Sequence, residues 1–304
     1  MSETAAVRVV TDSTACLPMP GDPGRAALWD GLDHGPLVVP LHVVTEGGSL
    51  REGIDVRPQD VAARIADGER LTTSQPSTAE FSEVYRELVA DGASSVVSVH
   101  LSGELSGTFA SAERAGLRAM VPVRAVDSRT AAMALGFAAV EAARCAAAGC
   151  DTEHVAQRAG EVAASAEAVF LVDSLDHLRR GGRLSAPAAA LGTALGVRPI
   201  LGVRKGRVEL VLRVRTRSAA LSRLVTIAVE RARRATRPAV AVHHLGAPER
   251  AAEVAAQLVD RIGVRPVVTP VSAVLGAHVG PGALAVMVVD RGVHVHDLEP
   301  GGPW

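Results

Sequence analysis

Aromatic residues are scarce in this chain: phenylalanine, tyrosine and tryptophan together make up 2% of its 304 residues. A wide stacking surface for nucleic-acid bases or sugar rings is therefore not expected. The formal net charge is −1, whereas a dedicated nucleic-acid-binding protein usually carries a strong basic excess. We therefore predict that the protein has no nucleic-acid partner.

Cysteines and long apolar runs are also few. The three cysteines, Cys16, Cys145 and Cys150, form no CxxC pair, which predicts a cytoplasmic location with no disulfide framework and no structural zinc. Charged residues interrupt the longest apolar stretch, 131–148, so we expect no membrane span and at most transient membrane contact. No signal-peptide pattern is visible at the N-terminus.

Two nucleotide-binding motifs are missing as well. The chain contains neither a GxxxxGK[ST] loop nor a GxGxxG element. Both motifs supply the backbone N–H groups that hold phosphates. Their absence disfavours a small-molecule kinase or another nucleotide enzyme.

The pattern of strands and helices predicts an α/β fold. A chain of 304 residues is long for one hydrophobic core, so two domains are expected. In the first half, β-rich runs alternate with helical patterns, which predicts a mostly parallel sheet with helices on both faces, an α/β/α sandwich. The second half has further strands and a hairpin around Lys205-Gly206, which predicts a mixed sheet. We place the N-terminal domain at residues 1–164, the C-terminal domain at 165–299 and a tail at 300–304.

A serine- and glycine-rich turn, residues 102–108, follows the apolar run 96–99 and precedes a predicted helix. Such a turn presents hydroxyls and free backbone N–H groups at the positive end of the helix dipole. This arrangement favours a carboxylate or a phosphate. An ordinary helix N-cap explains the same residues equally well.

Three further segments carry candidate ligand-binding groups. In Thr72-Thr73-Ser74-Gln75-Pro76-Ser77, predicted as a loop between two helices, Thr73 and Ser74 can donate hydroxyl hydrogen bonds to an anion. His278, among three glycines, can donate to an anion or shuttle a proton. Arg183 follows a Gly-Gly turn. Taken singly, each segment is explained as well by a capping loop, a structural histidine or a solvated arginine.

Together these segments resemble the DegV family of bacterial fatty-acid-binding proteins. The resemblance lies in the order TDST, TTSQPS, LSGELSGTF, DS, GGRLS and GAHVGPGA, and in the connecting strings VVPLHV, FLVDSLDHLRRGG and VRPILGV. It extends from Thr11 to about Val289. The resemblance implies two α/β domains that enclose one long-chain fatty acid between them.

The resemblance also assigns roles to individual residues. The implied carboxylate-binding residues are Thr73, Ser74, Ser102, Gly103, Ser106 and His278. Arg183 and His278 are implied to meet the phosphate when the acyl group passes to a partner. The chain departs from the family pattern at Gly103, where a second serine is common, at Val279, where threonine is usual, and at Cys16, where aspartate is general.

By the same resemblance, the protein is a carrier and not an enzyme. It would present the carboxylate of the fatty acid to a separate, ATP-binding fatty-acid kinase, and the acyl phosphate would enter phospholipid synthesis. No cofactor or metal is expected, and a monomer is the default. The alternative is a hydrolase that uses Ser102 or Ser106 with His278 and Asp127, although the chain contains no GxSxG element.

Overall fold

The computed structural model describes residues 6–22, 24–185 and 198–292. In chain order its helices and strands are β1 (Val7–Asp12), α1 (Arg25–Trp29), β2 (Leu37–Val39), β3 (His42–Thr45), β4 (Gly48–Arg51), α2 (Pro58–Ala66), β5 (Thr72–Ser74), α3 (Thr78–Ala90), β6 (Ser95–His100), α4 (Thr108–Gly116), β7 (Val123–Asp127), α5 (Met133–Ala147), α6 (Thr152–Ala164), β8 (Glu167–Leu171), α7 (Asp176–Arg180), β9 (Arg198–Arg204), β10 (Arg207–Val214), α8 (Arg217–Arg234), β11 (Pro238–His244), α9 (Pro248–Ile262), β12 (Val267–Pro270), α10 (Ala273–Val279) and β13 (Leu284–Asp290).

The first half contains a parallel sheet with helices on both faces, which confirms the predicted fold class. Its strand order is β2-β1-β6-β7, and every pairing is parallel. Helices α3 and α4 pack on one face, and α5 and α6 pack on the other. Every residue of β6 is buried, as expected for a central strand covered on both sides. Ser77 with Glu80 three positions on has the spacing that predicts a capping box at the start of α3. This prediction is confirmed, because Ser77 and Glu80 satisfy each other's backbone N–H groups.

The second half contains the predicted mixed sheet. Its order is β10-β9-β8-β13-β11-β12, and β11–β12 is the parallel pair. Strands β9 and β10 form the predicted hairpin, which turns at Lys205 and Gly206. Helices α8 and α9 pack on one face of the sheet. The other face packs against α5, so this alanine-rich helix lies between the two large sheets and is buried from Met133 to Ala143.

A small antiparallel sheet, β4-β3-β5, was not predicted. The sequence predicts one strand over the apolar run 37–44, but this run divides at Pro40 into β2 and β3, which join different sheets. Proline has no N–H to donate to a strand ladder, which accounts for the break. Residues 72–74 were predicted as part of a loop. They form strand β5, in which Thr73 pairs with Val43 of β3.

The prediction of no disulfide is wrong for one pair, because Cys145 and Cys150 are bonded to each other. Cys145 lies in the last turn of α5, and Gly149 follows with a φ of +86°. This turn brings the two Cα atoms to 5.5 Å, a usual disulfide separation. A search for CxxC spacing misses such a pair. Cys16 is a free, buried thiol.

The proposed division at residue 164 coincides with the end of α6, and β8 of the mixed sheet begins at Glu167. The two-domain division remains a prediction, and the predicted tail lies outside the described residues. In the part of the chain that the structure describes, no helix has the length and apolarity needed to cross a membrane.

Candidate functional site

A cavity of about 300 Å³ lies between the two large sheets, beside the N-terminal end of α5. Residues of both halves contribute its wall. Most of the wall is apolar, formed by Leu41, Leu101, Leu105, Ala131, Ala132, Phe170, Leu178, Val203, Val208, Val271, Val274, Leu275, Val279, Ala283, Leu284, Ala285 and Met287. The volume is at the lower end of the range of about 300–1,000 Å³ that is usual for small-molecule sites.

The cavity also has a polar group of residues: Thr73, Ser74, Gln75, Ser106, Arg183 and His278. Four of the residues predicted from sequence to bind a carboxylate, Thr73, Ser74, Ser106 and His278, are therefore on its wall, together with Arg183. Gln75 was not predicted; it directly follows the Thr-Thr-Ser run on β5. An apolar cavity with a few converging polar groups is the usual form of a binding site for an amphipathic ligand.

Thr73 and His278 are in direct contact. Oγ1 of Thr73 lies 2.8 Å from Nε2 of His278, although the two residues are 205 positions apart. Burial is the main cause that lowers the pKa of His278 to about 4, and neighbouring Arg183 and His177 contribute to the shift. The imidazole is therefore neutral near pH 7 and carries one N–H donor and one acceptor nitrogen.

Glycine allows a close approach at this point. Gly181, at the end of α7, has φ −73° and ψ −9°, which any residue can adopt. A Cβ atom there would nevertheless lie 2.2 Å from Nδ1 of His278. The missing side chain leaves room for the imidazole to reach Thr73. The family string GGRLS thus contributes to the site through its first glycine as well as through Arg183.

Arg183 is held by two backbone carbonyl groups. Its Nε donates to the carbonyl oxygen of Leu105 at 3.0 Å, and Nη1 donates to that of Gly181 at 2.5 Å. The guanidinium thus connects the turn after β6 with the turn after α7. Its positive charge lies at the polar part of the cavity, where an anionic head group is favoured.

Ser102 and Gly103 are not on the cavity wall. The Ser102 side chain is fully buried and donates to the carbonyl oxygen of Gly206 at 2.8 Å. Gly206, at the tip of the β9–β10 hairpin, has a φ of +82°, and a Cβ atom there would lie 2.4 Å from the Ser102 hydroxyl. The N–H of Gly103 donates to Oδ1 of Asp127 at 3.1 Å. In this structure Ser102 joins the hairpin to the first half, whereas Gly103 bonds within the first half to the end of β7. Their head-group role remains a prediction.

The residues of the alternative hydrolase are not arranged as a relay. Ser106 lies 2.9 Å from the Thr108 hydroxyl, and the partner of His278 is Thr73. Asp127 accepts backbone N–H groups from Gly103 and Arg129. None of these described contacts connects serine, histidine and aspartate.

A serine–histidine–aspartate chain does occur elsewhere, and the sequence analysis missed it. Ser98 Oγ lies 2.7 Å from Nε2 of His100, and Nδ1 of His100 lies 3.0 Å from Oδ2 of Asp12. All three side chains are fully buried, so no substrate reaches them. Asp12 also accepts the N–H of Leu101 at 3.0 Å. This network therefore holds the start of the 102–108 turn against β1.

Two further histidines, His243 and His244, lie on the cavity wall and were not predicted from the sequence. The contacts of His243 show its role. Its Nε2 accepts the N–H of Met133 at 3.1 Å, and its Nδ1 lies 3.0 Å from Oγ1 of Thr269. Burial lowers the pKa of His243 to about 4. The neutral imidazole caps the N-terminal end of α5, where Ala132 offers no side-chain cap, and it joins that helix to the mixed sheet. The available signal was the His243-His244 pair, which directly follows the apolar, strand-like run 239–242.

The fold and the cavity define an α/β protein with two large sheets and, between them, a largely apolar site that has a polar region. The family model described as "Uncharacterised protein, DegV family" matches residues 6–291. A DegV domain-containing protein of Streptomyces coelicolor is 45% identical over 287 residues, which cover 94% of this chain and 99% of that protein. The chain therefore belongs to the DegV family.

Two solved structures are also similar. A DegV family protein of Thermus thermophilus, described by its fatty-acid binding, has a TM-score of 0.84 at 30% identity. DegV of Bacillus subtilis, described as a fatty acid binding protein, has a TM-score of 0.84 at 32% identity. In both comparisons the match covers 94% of this chain and 99% of the other chain. These similarities confirm the resemblance and the fold predicted from the sequence.

Proposed function

We propose that this protein binds a long-chain fatty acid in the cavity, with the carboxylate at Thr73 and His278 and the acyl chain along the apolar wall. The observation that carries the proposal is the Thr73–His278 contact at the polar part of an otherwise apolar cavity. The fatty-acid binding described for the similar proteins of Thermus thermophilus and Bacillus subtilis supports it.

The acyl chain supplies most of the affinity in this proposal. Burial of a sixteen-carbon chain contributes at most roughly 12 kcal/mol, at about 0.8 kcal/mol per methylene. Association and ordering oppose binding by about 4–15 kcal/mol. Each charge-assisted hydrogen bond to the carboxylate adds about 1.5–3 kcal/mol. The polar residues thus decide where the head group lies, and the apolar wall holds the tail.

The neutral histidine orients the hydroxyl of Thr73. When the N–H of His278 is on Nε2, it donates to Oγ1 of Thr73, and the hydroxyl proton is then free to point at the carboxylate. The Arg183 guanidinium adds a positive charge nearby. Ser74 and Ser106 offer further hydroxyl groups on the wall of the same cavity. This arrangement binds an anion without requiring a charged histidine.

We further propose that the protein is a carrier that presents the carboxylate to a separate fatty-acid kinase in the cytoplasm, for phospholipid metabolism. The family resemblance supports this part. Arg183 and His278 would contact the phosphate as it forms. Incubation with such a kinase and ATP should yield acyl phosphate, and Arg183→Gln should lower the yield. Incubation with an ester substrate tests the hydrolase alternative.

Thr73→Val tests the binding site, because it removes the hydroxyl and keeps the shape of the side chain. The matched control is Thr72→Val, on the same strand but exposed and off the cavity wall. Organic extraction and mass spectrometry of the purified protein should detect fatty acid. Competition with a fluorescent fatty acid should show about a 10-fold loss of affinity for Thr73→Val, equivalent to one charge-assisted hydrogen bond. Equal affinities of the two variants would refute this placement of the head group.

A further inference from the structure

Glu52 is a buried carboxylate outside the polar group of the cavity. It follows β4 and is 7% exposed. Its Oε1 accepts the N–H of Ala273, the first residue of α10, while Oε2 has no hydrogen-bond partner among the described residues. The N–H groups of the first turn of a helix have no partner within the helix. Glu52 therefore supplies the acceptor that the N–H of Ala273 would otherwise lack.

The helix that Glu52 contacts carries His278 near its other end. Helix α10 has seven residues, so Ala273 and His278 are separated by roughly 7–8 Å along the axis at about 1.5 Å per residue. His278 thus lies little more than one helical turn beyond Ala273, so a movement of the first turn of α10 also moves the imidazole. The Thr73–His278 distance of 2.8 Å leaves little room for such a movement.

Glu52 also belongs to the structural unit that carries Thr73. Thr73 lies on β5, which pairs with β3, and β3 pairs with β4 directly before Glu52. The N–H of Glu52 donates to the carbonyl oxygen of Leu41 at 2.9 Å, and Leu41 is on the cavity wall. The Glu52 carboxylate thus connects the small sheet, which carries Thr73, to helix α10, which carries His278.

We propose that Glu52 is a positioning residue of the head-group site, which anchors α10 to the small sheet and so sets His278 against Thr73. The expected effect of Glu52 on fatty-acid binding rests on the proposed function. The expected effect of Glu52 on the position of His278 does not depend on any ligand.

The charge of Glu52 changes near neutral pH. Burial raises the pKa of Glu52 to about 7, although its polar neighbours, Ser13 first and then the N–H of Ala273 and the hydroxyl of Ser272, act in the opposite direction. Cys16 is the titratable neighbour: its Sγ accepts the N–H of Ser272 at 3.2 Å, and burial raises the pKa of the thiol, which stays neutral. Other titratable groups on the adjoining elements have their own partners: His42 with Glu80, Arg51 with Asp55, Arg64 with Glu69, and Asp60 with the N–H of Arg57.

The test uses two variants of Glu52 and one control. Glu52→Ala removes the acceptor for Ala273, whereas Glu52→Gln keeps an oxygen acceptor and removes the titration. Glu46→Gln is the matched control, because Glu46 is exposed in the turn between β3 and β4 of the same sheet. All variants are compared with the wild type in circular dichroism and in competition with a fluorescent fatty acid. We expect Glu52→Ala to weaken binding about 10-fold, and Glu52→Gln and Glu46→Gln to stay within about threefold of the wild type.

The second readout is the NMR titration of the His278 imidazole in lipid-free protein. In the wild type and in Glu46→Gln, its chemical shifts should show an inflection near pH 7 from Glu52, well above the pKa of His278 itself. Glu52→Gln should lack this inflection and keep the one from His177, whose pKa is lowered by burial. His278 chemical shifts that equal those of the wild type in folded Glu52→Ala would overturn the proposal. If Glu52→Ala fails to fold, His278 shifts identical in Glu52→Gln and the wild type at every pH from 5 to 9 would overturn it, because the loss of a charge linked to α10 would then leave the imidazole unaffected.

The two proposals fail in different ways. If wild-type protein binds no fatty acid but the His278 chemical shifts of folded Glu52→Ala differ from those of the wild type, the positioning role stands and the proposed function is refuted. If the wild type binds fatty acid and folded Glu52→Ala binds it equally well, the positioning role alone is refuted.

Discussion

Replacement of Gly181 by alanine adds one methyl group beside His278. The backbone at Gly181 is right-handed helical, so alanine fits without strain and the protein should fold. The new Cβ atom would lie 2.2 Å from Nδ1 and 2.9 Å from Cε1 of His278. Both distances are shorter than van der Waals contact allows, so the imidazole must move.

The size of the effect follows from that overlap. The Nδ1 contact is about 1.2 Å shorter than the 3.4 Å at which ordinary contact begins. A displacement of this size disrupts the geometry of the 2.8 Å contact between Thr73 and His278. Loss of a neutral hydrogen bond changes the free energy by about 0.5–1.5 kcal/mol. We therefore expect the dissociation constant for a long-chain fatty acid to rise about 2- to 12-fold.

Competition with a fluorescent fatty acid at pH 7.5 measures this change. The control is Gly160→Ala, because Gly160 lies in α6, off the wall of this cavity, and a Cβ atom there meets no other atom within 4 Å. The control should bind fatty acid with wild-type affinity. If Gly181→Ala also binds with wild-type affinity, the Thr73–His278 contact does not hold the head group, and the reasoning is refuted.

Three further predictions concern stability. Gly160→Ala should raise the free energy of unfolding by about 0.5–1 kcal/mol through helix propensity. Gly136→Ala, whose Cβ atom would lie 2.6 Å from the carbonyl oxygen of Ala15, should lower it by about 1–3 kcal/mol. The pKa of His243 is lowered in the folded state to about 4, so its stabilisation is complete above about pH 6.5 and is lost as the pH falls towards 4. Urea denaturation should show a loss of about 2.5 kcal/mol by pH 4.5 from this group, absent in His243→Gln; an equally steep dependence in that variant would contradict the assignment.

The local elements could be predicted wherever neighbouring residues decide them. The capping box of α3 needs only Ser77 and Glu80, three positions apart, and the hairpin at Lys205-Gly206 needs only its turn residues and flanking strands. The alternation of strands and helices also predicted the parallel sheet. Strand β5 was missed because three polar residues, 72–74, form a strand only when β3 is present beside them.

The candidate site could be predicted in part. Thr73, Ser106, Arg183 and His278 were chosen from the sequence pattern and its family resemblance, and the structure brings them to one cavity. Ser102 was expected there too, but its hydroxyl bonds to Gly206, a residue 104 positions away. A local pattern shows that a turn offers donors, but it does not show which acceptor lies opposite them.

The sequence by itself determined the class of fold, the family and the residues available to bind an anion, because each of these depends on patterns within short segments. Only the tertiary structure decided that His278 contacts Thr73, that His243 caps α5 and that Glu52 supports α10. These contacts join residues that are 205, 110 and 221 positions apart. They arise where the small sheet, the mixed sheet and α5 pack together, and the burial produced by that packing shifts the pKa values of all three groups.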